Sequence, residues 1–219
     1  MDQGVWSEYS RWNEALTAQF FGGSQAEVPA YIDVDSSLIE DCARGMGLPT
    51  KGATDFLVAA VRPTLGLGEG DFVFANHVLR YNDWRRSFLR SSGPRGKRLA
   101  QDIAPPPVVA LLTTLVMAAE KMGSDASLVA NAYYPRLGQL FDLDSKAVRR
   151  LVSTFPVTES FWRGLNEYLE AQQGRHGLPT AYALAHRHVG TPQSPALVRA
   201  TDRGRLPTFF RQFGLAPGS

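Results

Sequence analysis

Large apolar residues recur at three- and four-residue steps near the start of the chain: Trp6, Tyr9, Trp12, Leu16 and Phe20. That period brings them to one side of a helix, which Gly22-Gly23 should end. Trp6, Trp12 and Phe20 are then expected to anchor the helix to the core. The pattern changes at "AYIDVD", where Tyr31, Ile32, Asp33, Val34 and Asp35 alternate as in a short strand. Ser37 with Glu40 has the spacing of a capping box and opens a second helix that stops near Gly45 to Gly47.

"GATDFLVAAVRPTLGLG" predicts a brief helix broken by Pro63, and "DFVFANHVLRYNDWRRSFLRSS" a longer one with Phe72, Ala75, Leu79 and Phe88 on its apolar side. After the loop "SGPRGKR", Pro105-Pro106-Pro107 introduces the longest apolar run, "VVALLTTLVMAA", Val108 to Ala119. Proline suits a first helical turn, so a central helix should run from there to about Met122. Twelve residues with two threonines are too few to span a bilayer and suit a buried helix. Two further helical stretches, joined by a tight turn at Asp142-Leu143-Asp144, precede a last helix capped by Thr158 with Phe161, Leu165 and Leu169 on one side. "TAYALAHRHV", Thr180 to Val189, again looks extended.

These periods describe a mainly α-helical globular protein with a minor two-stranded β element. The best place to divide it lies at 92–106, giving an N-terminal helical lobe (1–103), acidic at its start, and a C-terminal helical lobe (104–219) with a basic surface, or one continuous domain built from both. With 44% hydrophobic residues the chain can bury an ordinary core.

Charge sharpens the picture. The formal net charge of +2 conceals nine acids against three bases before residue 61 and twenty bases against twelve acids after it. Such a basic second part can recruit a polyanion, although charges also serve simply to solvate a face. The single cysteine, Cys42, excludes an internal disulfide and any cluster of thiolates, and fits a reducing cytoplasm. It has no activating neighbour and reads as packing. The start "MDQGVWSEYSRWNEAL" has no basic segment followed by an apolar run, so no secretion signal is read.

Chemistry is sparse. Asp33 and Asp35 put two carboxylates on one face of the expected strand, as hard divalent cations require, with Glu40 and Asp41 nearby on the next helix. Nothing elsewhere completes a ligand set, and helix capping is the ordinary role for Asp35 or Ser36. His186 and His188 share a side of an extended segment without thiol or carboxylate partners, and His77 beside Val78 and Leu79 reads as a hydrogen-bonded, partly buried imidazole. "SSGPRGKR" misses the phosphate-loop spacing: Ser91 stands where a glycine is needed and Arg98 where a hydroxyl is needed. What remains is a basic stretch of Arg85, Arg86, Arg90, Arg95, Lys97 and Arg98.

"LGQLFDLDSKAVRRLVSTF" has the layout of a helix-turn-helix, with Lys146, Arg149 and Arg150 displayed by the second helix and Ala147, Val148 and Leu151 turned to the first. Asp142 and Asp144 at the turn would repel phosphate. In the last stretch, "RATDRGRLPTFFRQFGLAPG", Phe209, Phe210 and Phe213 form an apolar anchor rimmed by Arg203, Arg205 and Arg211. Three phenylalanines so close suit a core or a docked partner better than stacked bases.

No catalytic or cofactor signature has both its residues and its spacing. The leading expectation is a non-catalytic binding or scaffold module, the N-terminal part of a larger cytoplasmic, bacterial protein, whose basic surfaces engage a protein partner, a downstream domain or nucleic acid. The alternatives are a metal-dependent enzyme using Asp33 and Asp35, and a helix-turn-helix DNA-binding protein.

Overall fold

A computed structural model of the chain describes residues 3–22, 32, 34, 36–68, 72–92, 104–124, 133–173, 175 and 176. Eight α-helices occur among them: α1 (Gln3–Phe21), α2 (Ser36–Gly45), α3 (Ala53–Val61), α4 (Ala75–Ser92), α5 (Val109–Ser124), α6 (Tyr133–Leu140), α7 (Ser145–Leu151) and α8 (Phe155–Ala171). Short 3₁₀ turns follow α3 at Arg62–Thr64, where Pro63 withholds an N–H, and α7 at Val152–Thr154. No membrane-spanning candidate exists among these helices.

No β-strand forms among the described residues, so the expected two-stranded element is not supported. Ile32 is buried and Val34 packs on the core, as alternation would place them, yet neither belongs to a strand. The segment 180–189 lies outside the described residues.

Helix α5 is the axis of the fold. Every residue from Val108 to Ala119 is buried, the signature of a helix apolar all round, and α5 packs against α1, α3, α6 and α8. Its two threonines return their hydroxyl protons to the helix, Thr113 to Val109 O at 2.8 Å and Thr114 to Leu111 O at 2.7 Å, so neither leaves a buried donor unpaired. Against this axis α1 lays its aromatic stripe: Trp6, Tyr9, Trp12, Leu16 and Phe20 are all buried. Two bonds fix the register between α1 and the start of α5. Tyr9 donates to Pro107 O at 3.1 Å, and the Asn13 side-chain oxygen accepts from the Ala110 N–H at 3.1 Å.

One hydrophobic cluster includes residues from both sides of the 92–106 segment. Polar links cross the same line. On α4, Tyr81 donates to Ser160 O at 2.8 Å, and Arg85 reaches Glu167 of α8 at 3.2 Å.

Two local assignments need correction. Leu79, expected on the apolar side of α4, is 57% exposed, whereas Phe88 is buried as expected and shares that side with His77 and Tyr81. Helix α8 starts at Phe155 with Pro156 in its first turn, so Thr158 is a buried residue within the helix and not its cap.

Candidate nucleic-acid interface

Helices α6 and α7 meet through their smallest surface. A Cβ built on Gly138 would lie 2.3 Å from Val148 Cγ2, well inside contact distance, so only glycine permits this approach of the two helices. Around the crossing Leu137, Phe141, Ala147 and Leu151 are buried, filling the angle between α6 and α7. The turn between them is tightly bonded: Phe141 N–H donates to Leu137 O at 3.1 Å, and Leu143 N–H to Gly138 O at 2.8 Å. Asp142 sits between with φ 50, a left-handed conformation that aspartate tolerates better than most side chains.

The next acid has a different task. The Asp144 carboxylate accepts the Ala147 N–H at 2.7 Å and so caps α7. That backbone bond, aided by Lys146 N–H and by nearby Arg150 and Lys146, holds its carboxyl below the ordinary range. The two turn acids are thus both engaged, Asp144 in the cap and Asp142 with Arg62. From the end of α3, Arg62 donates to Phe141 O at 2.7 Å and Asp142 O at 3.2 Å, with the Asp142 carboxylate at 3.3 Å.

The outer side of α7 presents Ser145, Lys146 and Arg149, all exposed, beside a groove of about 660 Å³ along Pro135, Gln139, Leu143 and Val148. Arg150 is spent differently: half-buried, it donates to Gly68 O at 2.8 Å and ties α7 to the segment before α4.

The other basic residues divide. Arg85 is an internal link, donating to Tyr81 Oη at 2.9 Å while pairing with Glu167. Arg86 is exposed and pairs with Asp83, and exposed Arg90 bonds back to Arg86 O at 3.2 Å. Arg95, Lys97 and Arg98 lie outside the described residues, as do Arg203, Arg205, Phe209, Phe210, Phe213 and Arg211 of the last stretch, the carboxylates Asp33 and Asp35, and the pair His186 and His188. Glu40 and Asp41 are exposed on α2, and no three His, Cys, Asp or Glu come together among the described residues.

His77 is fully buried in a ring of aromatics, 5.2 Å from Trp6, 5.0 Å from Tyr9 and 6.4 Å from Phe74 between ring centres. The Thr64 hydroxyl gives its proton to Val61 O at 2.6 Å, so His77 Nε2 must carry the proton it donates to Thr64 Oγ1 at 2.7 Å. Burial, reinforced by the Arg80 charge, pushes this imidazole down to about 3, and it stays neutral. Cys42 is buried too, its thiol raised to about 11 by burial and by Asp41. Neither has the access that chemistry on a substrate needs.

Sequence reasoning overlooked a second concave surface. Ser10, Asn13, Glu14 and Thr17 recur at helical spacing beside the aromatic stripe of α1, and they line a cleft of about 580 Å³ with Arg80, Pro105, Tyr168 and His176. The polar stripe was readable in the pattern. Its opposite wall comes from residues about 70 to 165 positions away, which no local pattern specifies.

No protein-family model matches the chain, and neither a curated protein nor a solved structure shows significant similarity to it.

Proposed function

We propose that the chain is a non-catalytic nucleic-acid-binding module that engages duplex DNA through the α6–α7 pair, with α7 in the major groove. The observation that carries this reading is the Gly138–Val148 crossing. It locks α6 against α7 and leaves Ser145, Lys146 and Arg149 on the outward side of the second helix. A helix of about 10–12 Å diameter fits the roughly 12 Å major groove. Arg62, reaching in from the end of α3, and Arg150, reaching out from α7 to Gly68 O, brace the pair against the first half of the chain, as a surface that must keep its shape on contact requires. The charge is modest, so phosphate attraction dominates and base selectivity is weak. The exposed bases of α4, Arg86 and Arg90, contribute general attraction, and the single cysteine suits a reducing compartment.

The test is a titration against duplex and single-stranded DNA at about 50 and 200 mM salt. Duplex binding should weaken as salt rises. Lys146→Gln with Arg149→Gln should lower the log–log salt slope by about 2 and weaken duplex binding more than Arg86→Gln with Arg90→Gln. No binding at low salt, or equal effects of the two pairs, would reject the assignment to α7.

A further inference from the structure

The cleft along α1 has chemically distinct ends. At one end, Arg80 lies over Trp6 with its guanidinium carbon 3.8 Å from the ring centre, near Tyr9 and Pro107. Stacking uses one face of the guanidinium and leaves its edge N–H groups available, the geometry suited to a forked oxyanion. No carboxylate among the described residues pairs with it. At the other end, His176 bonds to Phe21 O and lies parallel to Tyr168, ring centres 6.0 Å apart, so aromatic surface closes the cleft near Phe21.

Between the ends the α1 wall is polar. Asn13 is 8% exposed, and its oxygen is held by the Ala110 N–H, which leaves its NH₂ group as the donor on the cleft side. One turn on, the Thr17 hydroxyl is buried without a hydrogen-bond partner. A buried hydroxyl with no partner costs free energy that a bound molecule can recover. Ser10 and Glu14 add acceptors for hydroxyl groups. From Tyr9 to Phe21 the helix advances about 18 Å, and the volume of about 580 Å³ is that of a small-molecule site.

This order of groups points to a nucleotide site: the geometry assigns the phosphate of a nucleoside phosphate to Arg80, its ribose hydroxyls to Ser10, Asn13, Glu14 and Thr17, and its base to the aromatic end at Phe21, Tyr168 and His176. Binding is reversible and involves no covalent step. The site is separate from α6–α7 and does not depend on the DNA-binding reading.

Calorimetric titration of the full chain with AMP, GMP, CMP, UMP, adenosine, ribose 5-phosphate and inorganic phosphate tests it. At least one nucleoside monophosphate should bind, and adenosine should bind at least about tenfold more weakly than AMP if AMP is that ligand. Arg80→Gln should bring the nucleotide to the level of its nucleoside, and His176→Ala should weaken nucleotide and nucleoside while sparing ribose 5-phosphate. Because Arg80 also packs on Trp6, Ala18→Trp provides a second probe: it fills the exposed middle of the cleft and should abolish nucleotide binding with cooperative unfolding retained. Lys146→Gln with Arg149→Gln should leave nucleotide affinity unchanged, which separates this site from the DNA surface. The assignment is overturned if no monophosphate binds at about 1 mM, if inorganic phosphate binds as tightly as a nucleotide, or if Ala18→Trp leaves binding intact.

Discussion

The phenol of Tyr81 occupies the space that a side chain at Gly164 would need: a Cβ there would stand 2.2 Å from Tyr81 Oη. This is where α4 presses on α8. The same hydroxyl donates to Ser160 O and accepts from Arg85, so it cannot move aside without breaking both bonds. Gly164→Ala should therefore destabilise the protein by about 1–3 kcal/mol despite the better helix propensity of alanine. Urea unfolding gives the value, and a variant as stable as the parent would refute the close contact.

Gly138 and Val148 should behave as a coupled pair. Gly138→Ala overpacks the crossing, Val148→Ala leaves a gap there, and the double replacement relieves the first with the second. A double-mutant cycle should show a favourable coupling of about 1 kcal/mol or more. Simple additivity would mean that the helices can spread to admit the methyl group.

The buried imidazole predicts an acid dependence. His77 is depressed to about 3 in the folded chain against an ordinary value of 6.5, so the unfolded chain binds the extra proton between these limits. Stability is fully present above about pH 6.5 and falls with pH until both states are protonated below about 3. Between pH 7 and 5 the loss from this group should be about 2 kcal/mol. His77→Gln should be less stable at neutral pH yet show a shallower loss over that interval. Equal slopes for the two proteins in unfolding at pH 7 and 5 would contradict the burial of a neutral ring.

Cys42 should resist thiol reagents. With its thiol raised to about 11, the thiolate fraction at pH 8 falls about a hundredfold below that of an unperturbed cysteine, before access is considered. Ellman's reagent should label the native protein slowly and the urea-unfolded protein at once. Fast native labelling would mean that α2 opens readily.

What could be read from the sequence was what is local and periodic. The Trp6-to-Phe20 stripe, the buried run after Pro107 and the α6–turn–α7 layout each repeat a pattern within a few turns, and each forms as the spacing predicts. The clearest misreading arose where one residue serves two patterns: Leu79 has helical spacing yet faces outward, while Tyr81, two residues on, has the partner at Ser160. Site chemistry was least legible. Arg85 looked like a phosphate ligand until Glu167, 82 residues away, claimed it, while Arg80 acquires its orientation from Trp6, 74 residues before it.

The bonds that join α1 to α5 also impose a timetable on synthesis. Asn13 must wait for Ala110, 97 residues later, and ribosomes add about 5–20 residues per second. For roughly 5–20 s, then, the aromatic stripe of α1 has emerged without α5, one of the helices that bury it. All of α2, α3 and α4 are synthesised in that interval, before α5 is available to complete the packing of α1. A chaperone that recognises short apolar helices would meet this chain early, and slowing translation before residue 110 should raise the fraction lost to aggregation.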